Sequence, residues 1–316
     1  MEQVAVEKTG KPQVPSSKLR GSNWRELPYH LMILPGFLLV FIYSYIPMAG
    51  IMMAFQRYRP AKGILHSPWV GWSNFEYMLN IPGIYQVLWN TVFIALMKII
   101  AGILVPVVVT LLLNEVRVRW FQRGIQTIIY FPHFLSWIIL SGILIDILSP
   151  STGVINSLLS FFHIKPVFFL GDVKWFPYTM VLTDTWKEFG YGTIVFLAAL
   201  TGINPSLYEA ASIDGAGRWK QTLYVTLPGM LPIIILMTVL SLGNVLNAGF
   251  DQIFNLYSAQ VYPSGDIIDT LVFRIGMQDA NYGVATAVGL FKSVVSLIMI
   301  GASYLLAYRF AGYKIF

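Results

Sequence analysis

Apolar positions in this chain come in long stretches. They lack the strict alternation of a half-buried strand and the single apolar stripe of a surface helix. Six stretches reach the roughly 20 residues that a helix needs to cross a bilayer: 30–55, 87–113, 125–148, 178–200, 229–257 and 284–308. Glycine and proline inside them suit membrane helices, and Pro35, Pro47, Pro106, Pro132 and Pro232 are expected kinks. Segment 149–175 is only half apolar (Val154, Ile155, Leu158, Leu159), which predicts a short helix at the outer interface instead of a seventh span. Residues 1–29 are polar and basic, with Lys8, Lys11, Lys18, Arg20 and Arg25, and predict a loose tail. No small-residue cleavage site follows the first apolar run, so this start does not look like a secretory signal. The expected organisation is a tail, 1–29, and an all-α membrane domain, 30–316, with a polar loop at 201–228.

Composition strengthens this picture. Hydrophobic residues make up 56% of the 316 positions and charged residues only 11%, against roughly 25% charged in soluble domains. That excludes both a soluble globule and a disordered chain. The net charge of +6 therefore bears on sidedness, not on nucleic acid. Twelve Lys and Arg fall in the tail, the loops 114–124 and 201–228 and the last residues, against six in the opposite loops. This bias predicts cytoplasmic termini, although Arg57, Arg59 and Lys62 in the first outer loop run against it.

Enzymatic signatures are missing. There is no phosphate-binding loop, since Gly10-Lys11 is followed by Pro12, and no H-E-x-x-H or G-x-S-x-G. His30, His66, His133 and His163 are scattered singly and read as packing or interface groups, and there is no cysteine. No catalytic residue or metal ligand is expected.

Loop 201–228 carries a denser pattern. Asn204 is a good N-cap and Pro205 a good first helical residue. A short helix follows to Asp214, Gly215 and Gly217 interrupt it, and a second helix from Arg218 to Leu227 is expected to end at Pro228. Two short helices can form a knob for another protein's groove, or lie flat on lipid as an interfacial amphipathic pair.

Glu209-Ala210-Ala211, Gly215 and Val225-x-Leu227-Pro228 match the pattern E-A-A-x3-G-x9-I-x-L-P, with Val225 in the isoleucine position. That loop resembles the signature of the inner-membrane permease subunits of binding-protein-dependent ABC importers. Leu207-Tyr208, Ile213-Asp214-Gly215-Ala216 and Trp219 are similar to the maltose-type sugar branch, as are Trp186–Gly190, Phe196–Leu200 and Trp69-x-Gly71-x-x-Asn74-Phe75. The resemblance runs from about residue 30 to the end. It implies the type I importer permease fold in a bacterial cytoplasmic membrane, with 201–228 as a coupling loop docked into a separate cytoplasmic ATPase. By that resemblance Glu209, Ala210, Ala211, Asp214, Gly215, Leu227 and Pro228 couple to the ATPase. It further implies two ATPase subunits that hold ATP and Mg, a second, homologous permease chain, and an extracytoplasmic solute-binding protein delivering a sugar. This chain itself would hold no cofactor.

Six ionisable residues fall well inside the spans: Lys98, Asp184, Lys187, Glu188, Asp251 and Lys292. Charges there cost a few kcal/mol each, so they are expected to pair or face water. Asp184 and Lys187, three apart, can meet on one helix face. Ser241, Asn244, Asn247, Asp251 and Asn255 are spaced 3, 3, 4 and 4, which makes one helical stripe along the fifth span. With Trp186, Lys187, Glu188 and Tyr191 in the fourth span, this stripe is the expected substrate path; the competing role is interhelical hydrogen bonding. Amides, carboxylates and aromatic faces suit an oligosaccharide. Lys98, Lys187 and Lys292 would suit an acidic saccharide, a glycerol phosphate or a peptide if their carboxylates point elsewhere. An ion-coupled secondary transporter using Asp251 or Glu188 has no need of the E-A-A loop.

Overall fold

The computed structural model describes residues 23–311; the expected tail, apart from the residues from Asn23 onward where the first helix begins, and Lys314 lie outside them. The chain divides into two units at Ala49/Gly50, each described by itself. All the regular structure among the described residues is helical, apart from one isolated bridge between Gln56 and Trp69. The first unit is α1 (Asn23–Val40), followed by a π turn over Phe41–Tyr45 and the start of a 3-10 stretch, Ile46–Phe55.

The second unit contains the short α2 (Gly63–His66) and α3 (Ser73–Leu79), then α4 (Ile84–Glu115), α5 (Arg119–Tyr130), α6 (Trp137–Ile147), α7 (Val154–Phe161) and α8 (Phe176–Thr201). After these come α9 (Pro205–Ile213), α10 (Arg218–Gln221), α11 (Leu227–Leu242), α12 (Phe250–Leu256), α13 (Tyr262–Gly265), α14 (Ile268–Phe273) and α15 (Tyr282–Ala311). Four helical segments, Leu27–Phe55, Ile84–Glu115, Arg218–Leu242 and Tyr282–Leu305, are long and apolar enough to cross a membrane. Six result when the bent pairs Arg119–Phe134 with Trp137–Ile147, and Phe176–Thr201 with Pro205–Ile213, each count as one.

Packing explains the order of these helices. α4 and α8 lie together, and Gly192 of α8 is small enough for Pro106 of α4 to approach: a Cβ there would sit 3.0 Å from its ring. Phe196, Val107 and Met230 bury a core joining α4, α8 and α11. Ile94, Leu140, Met180, Ile253 and Ile267 form a second. Val87, Leu246, Leu271 and Val288 belong to a third. The outer motif has a local cause: Gly71 has φ +59, and Asn74 Nδ2 donates to Ala54 O (2.8 Å) and Gln56 O (3.0 Å). Phe75 packs on Phe55 and Trp72.

Three expectations need correction. The third span is not one helix: α5 and α6 meet at 105° around Pro132, a far sharper break than a proline kink. The fifth apolar stretch is likewise two helices, because α11 stops at Leu242 and α12 starts only after Gly249, whose φ is +93. Pro228 does not end a helix. A π turn over Thr222–Thr226 joins α10 to α11, and Pro228 sits in the first turn of α11, where its missing N–H is tolerated. Pro106 and Pro232 lie inside continuous helices. The expected short helix in 149–175 is α7.

Candidate functional site

The loop 201–228 is built as a braced knob. Asn204 caps α9 by accepting from Ser206 N at 3.0 Å, and Pro205 opens the helix. Gly215 turns the chain at φ +75, and Ala216 N donates to Ala211 O at 2.8 Å. Gln221 Nε2 holds both sides of the turn through Ser212 Oγ and Ala216 O, each at 3.0 Å. Tyr208 and Thr226 share a hydrogen bond of 3.0 Å, and Arg218 pairs with Glu115 of α4 at 2.8 Å. These ties leave Glu209, Ala210, Asp214 and Gly215 exposed and Ala211 half-buried. Ile213 is 87% exposed and Trp219 74%, so the knob presents apolar surface that a folded chain does not normally leave in water. Leu227 and Ile203 both pack against the buried Val107, Phe196 and Met230 at the root of the loop, while Pro228 is exposed.

The groups expected along the path separate into two clusters. In the first, Glu188 of α8 is held at both oxygens, by Lys187 Nζ at 2.6 Å and His133 Nδ1 at 2.6 Å. Lys187 also donates to His133 O at 3.0 Å and lies over the Trp137 ring. The His133 imidazole stacks on Tyr191, centroids 4.2 Å apart. Tyr191 and Trp186 are exposed, and Lys187 is buried. The second cluster centres on Lys98 of α4, which pairs with Asp184 (3.1 Å) and donates to Ala248 O (2.8 Å) and Gln252 Oε1. Lys98, Asp184, Ser241, Asn244 and Asn247 line a cavity of about 340 Å³.

Residue by residue, the outcome is mixed. Asn244 and Asn247 share a cavity with Ser241, but the helix break removes Asp251 and Asn255 from that stripe. They lie on α12, where Asn255 donates to Asp251 O, and outside the cavity lining. Asp184 and Lys187 do not pair; each has another partner. The third intramembrane lysine, Lys292, pairs with Asp269 (2.5 Å), a carboxylate outside the six intramembrane groups named from the sequence. Sequence reasoning set His133 aside as packing and missed Asp269. Gln252, beside Asp251, carries no role in that reading. In fact Gln252 is fully buried and donates to Met180 O (2.9 Å) and Thr183 Oγ1 (2.8 Å). All three are joined to their partners across 23 to 154 positions of sequence, and no local spacing signals them.

Residues 102–312 match the family described as "Binding-protein-dependent transport system inner membrane component". The chain belongs to this family of permeases. The permease is 39% identical over 281 residues to the polygalacturonan/rhamnogalacturonan transport system permease protein YteP of Bacillus subtilis (strain 168), covering 89% of this chain and 88% of that one. It is 30% identical to the arabinooligosaccharides transport system permease protein AraP of the same organism, covering 96% and 98%. Among solved structures it is similar to a chain of a bacterial ABC transporter for import of the acidic polysaccharide alginate. That likeness has TM-score 0.84 and 36% identity, over 91% of this chain and 97% of that one. A second structure of an alginate transporter, in complex with an alginate pentasaccharide-bound periplasmic protein, gives TM-score 0.83. The permease therefore has the type I importer fold and is a multi-pass inner-membrane transport component.

Proposed function

We propose that this permease forms half of the translocation pathway of an ATP-driven importer for an oligosaccharide. An extracytoplasmic solute-binding protein delivers the sugar, a second, similar permease chain completes the pathway, and two cytoplasmic ATPase subunits bind ATP and Mg and supply the work. The observation that carries the reading is the braced knob, with an exposed carboxylate, small side chains and Ile213 on its surface. Such a surface suits a protein groove better than a lipid headgroup layer, because Glu209 and Asp214 would be repelled by anionic lipid. The termini and this loop then share the cytoplasmic side, which the Lys and Arg bias supports. Relatives named for polygalacturonan/rhamnogalacturonan, arabinooligosaccharides and alginate support a carbohydrate.

Within that class, the relatives favour an acidic saccharide, but the three intramembrane lysines of this chain do not supply free charge for it. Lys98, Lys187 and Lys292 each have a carboxylate partner. At the level of those pairs, cations for a uronate would come from the second permease. The test is a binding screen of neutral and uronate oligosaccharides against the cognate binding protein, followed by uptake in vesicles holding the whole complex. ATP-dependent uptake of the bound sugar is expected. Uptake that persists without the ATPase and collapses with the proton gradient would overturn the reading in favour of a secondary transporter.

A further inference from the structure

Two apolar segments are broken within this unit, at 131–136 and at 243–249, and the same chemistry occurs at both breaks. Where a helix stops inside a membrane, its ladder of hydrogen bonds stops too, and carbonyls need another donor. At the first break His133 O accepts from Lys187 Nζ, 3.0 Å away. At the second, Ala248 O accepts from Lys98 Nζ, 2.8 Å away. Each ammonium is almost buried, with 8% and 9% of its side chain exposed, and each is neutralised by a carboxylate. Both carboxylates belong to α8. Asp184 and Glu188 are four residues apart, hence on one face of that helix. α8 reinforces both breaks. Glu188 takes His133 itself through its second oxygen, and Met180 O and Thr183 Oγ1 take Gln252, the residue three beyond Gly249. Gly190 brings the α8 backbone against the first break: a Cβ there would be 2.0 Å from Ile129 O. At its other end α8 runs through a 71° bend directly into α9 of the knob.

We infer that Lys98 and Lys187, with Asp184 and Glu188, are positioning residues that tie both helix breaks to α8, so that displacement of the knob moves the two breaks together. An apolar side chain could fill the same space. It could not donate to a carbonyl of the break while being held by a carboxylate of α8. The ties are interhelical hydrogen bonds to groups that have lost their own helical partners, so releasing one leaves a polar group without a donor. The inference rests on the transport reading only for its driving force; the ties themselves are properties of this chain.

The chain has no cysteine, so single cysteines placed at Ser136 and at Asn247 report on each break in the assembled transporter. Their labelling rates are measured in vesicles without nucleotide and with the ATPase trapped by a nucleotide analogue. With both lysines present, each site should change its rate by about five-fold or more between the two states. Lys98→Met should abolish the change at position 247 and keep it at 136; Lys187→Met should do the reverse. Lys98→Arg, which can still donate, should retain it. The sugar imported per ATP hydrolysed should fall in both methionine variants. The inference is overturned if each methionine variant keeps the nucleotide-dependent change at its own break, or if uptake and hydrolysis fall in proportion with the ratio unchanged. Asp184→Asn, close to isosteric, replaces Lys98→Met if that variant does not assemble, and the same loss at position 247 is expected. Wild-type uptake in the same vesicles tests the transport reading separately, because labelling needs no sugar.

Discussion

Gly190 leaves no room for a methyl group, because the atom it would meet is a backbone carbonyl that cannot rotate away. Gly190→Ala should therefore push α8 from the 131–136 break and lower stability by about 1–3 kcal/mol, measured as a drop in the thermal unfolding midpoint of the complex in detergent. Gly289→Ala, at a helical position with open space around it, should be neutral or slightly stabilising. Glycine matters for a different reason at Gly215. A Cβ there meets nothing within 4 Å, but φ is +75. Gly215→Leu should strain the turn by about 1–2 kcal/mol and re-aim α9 without disturbing the core. Glu209 is exposed and has no ion-pair partner among the described residues. Its charge is thus available to a docking partner, and Glu209→Lys should weaken ATPase docking more than Glu209→Gln does. ATPase co-purification and sugar-stimulated hydrolysis measure both; normal coupled transport by Glu209→Lys and Gly215→Leu together would remove the coupling role.

At the scale of elements, the breaks change what a polar stripe means. The 3, 3, 4, 4 spacing of Ser241, Asn244, Asn247, Asp251 and Asn255 fits one helix on paper, yet α11 and α12 are separate. The first three residues share a cavity with Lys98 and Asp184, and the last two do not. Asn244→Leu should accordingly reduce uptake several-fold while the complex still assembles and the binding protein still docks. If assembly alone fails, that cavity serves packing and not passage. The same logic applies to α10 and α11. There the sequence offers Pro228 as a stop, and a π turn carries the helix past it, since the wider turn shifts the hydrogen-bond register where proline has no N–H to give.

For the whole molecule, sidedness is the property the charges address most directly. With twelve Lys and Arg on one side and six on the other, cysteines introduced at Ser17 and Ser160 should label from opposite faces of intact cells. Labelling of Ser17 from outside would reverse the topology and place the knob away from any cytoplasmic ATPase.

Much of this was already written in the chain. Six apolar stretches, the Lys and Arg bias and the E-A-A loop are local features: each depends on residues close in sequence and on the solvent they prefer, so each is legible without a structure. The cap at Asn204 and the turn at Gly215 belong to this class, because a side-chain acceptor and a missing Cβ act within three or four positions. The tertiary structure alone decided where the long stretches break and which charges meet. Lys187 passes over Asp184 for Glu188 and a carbonyl of another helix. Lys98 finds Asp184 from 86 positions away. Lys292 finds Asp269, 23 positions away. Composition fixes how many charges must be neutralised, since a bare charge in apolar surroundings is costly. The choice of partner depends on which helices pack together, and small residues such as Gly190 and Gly192 set that by how close they let neighbouring backbones and rings come.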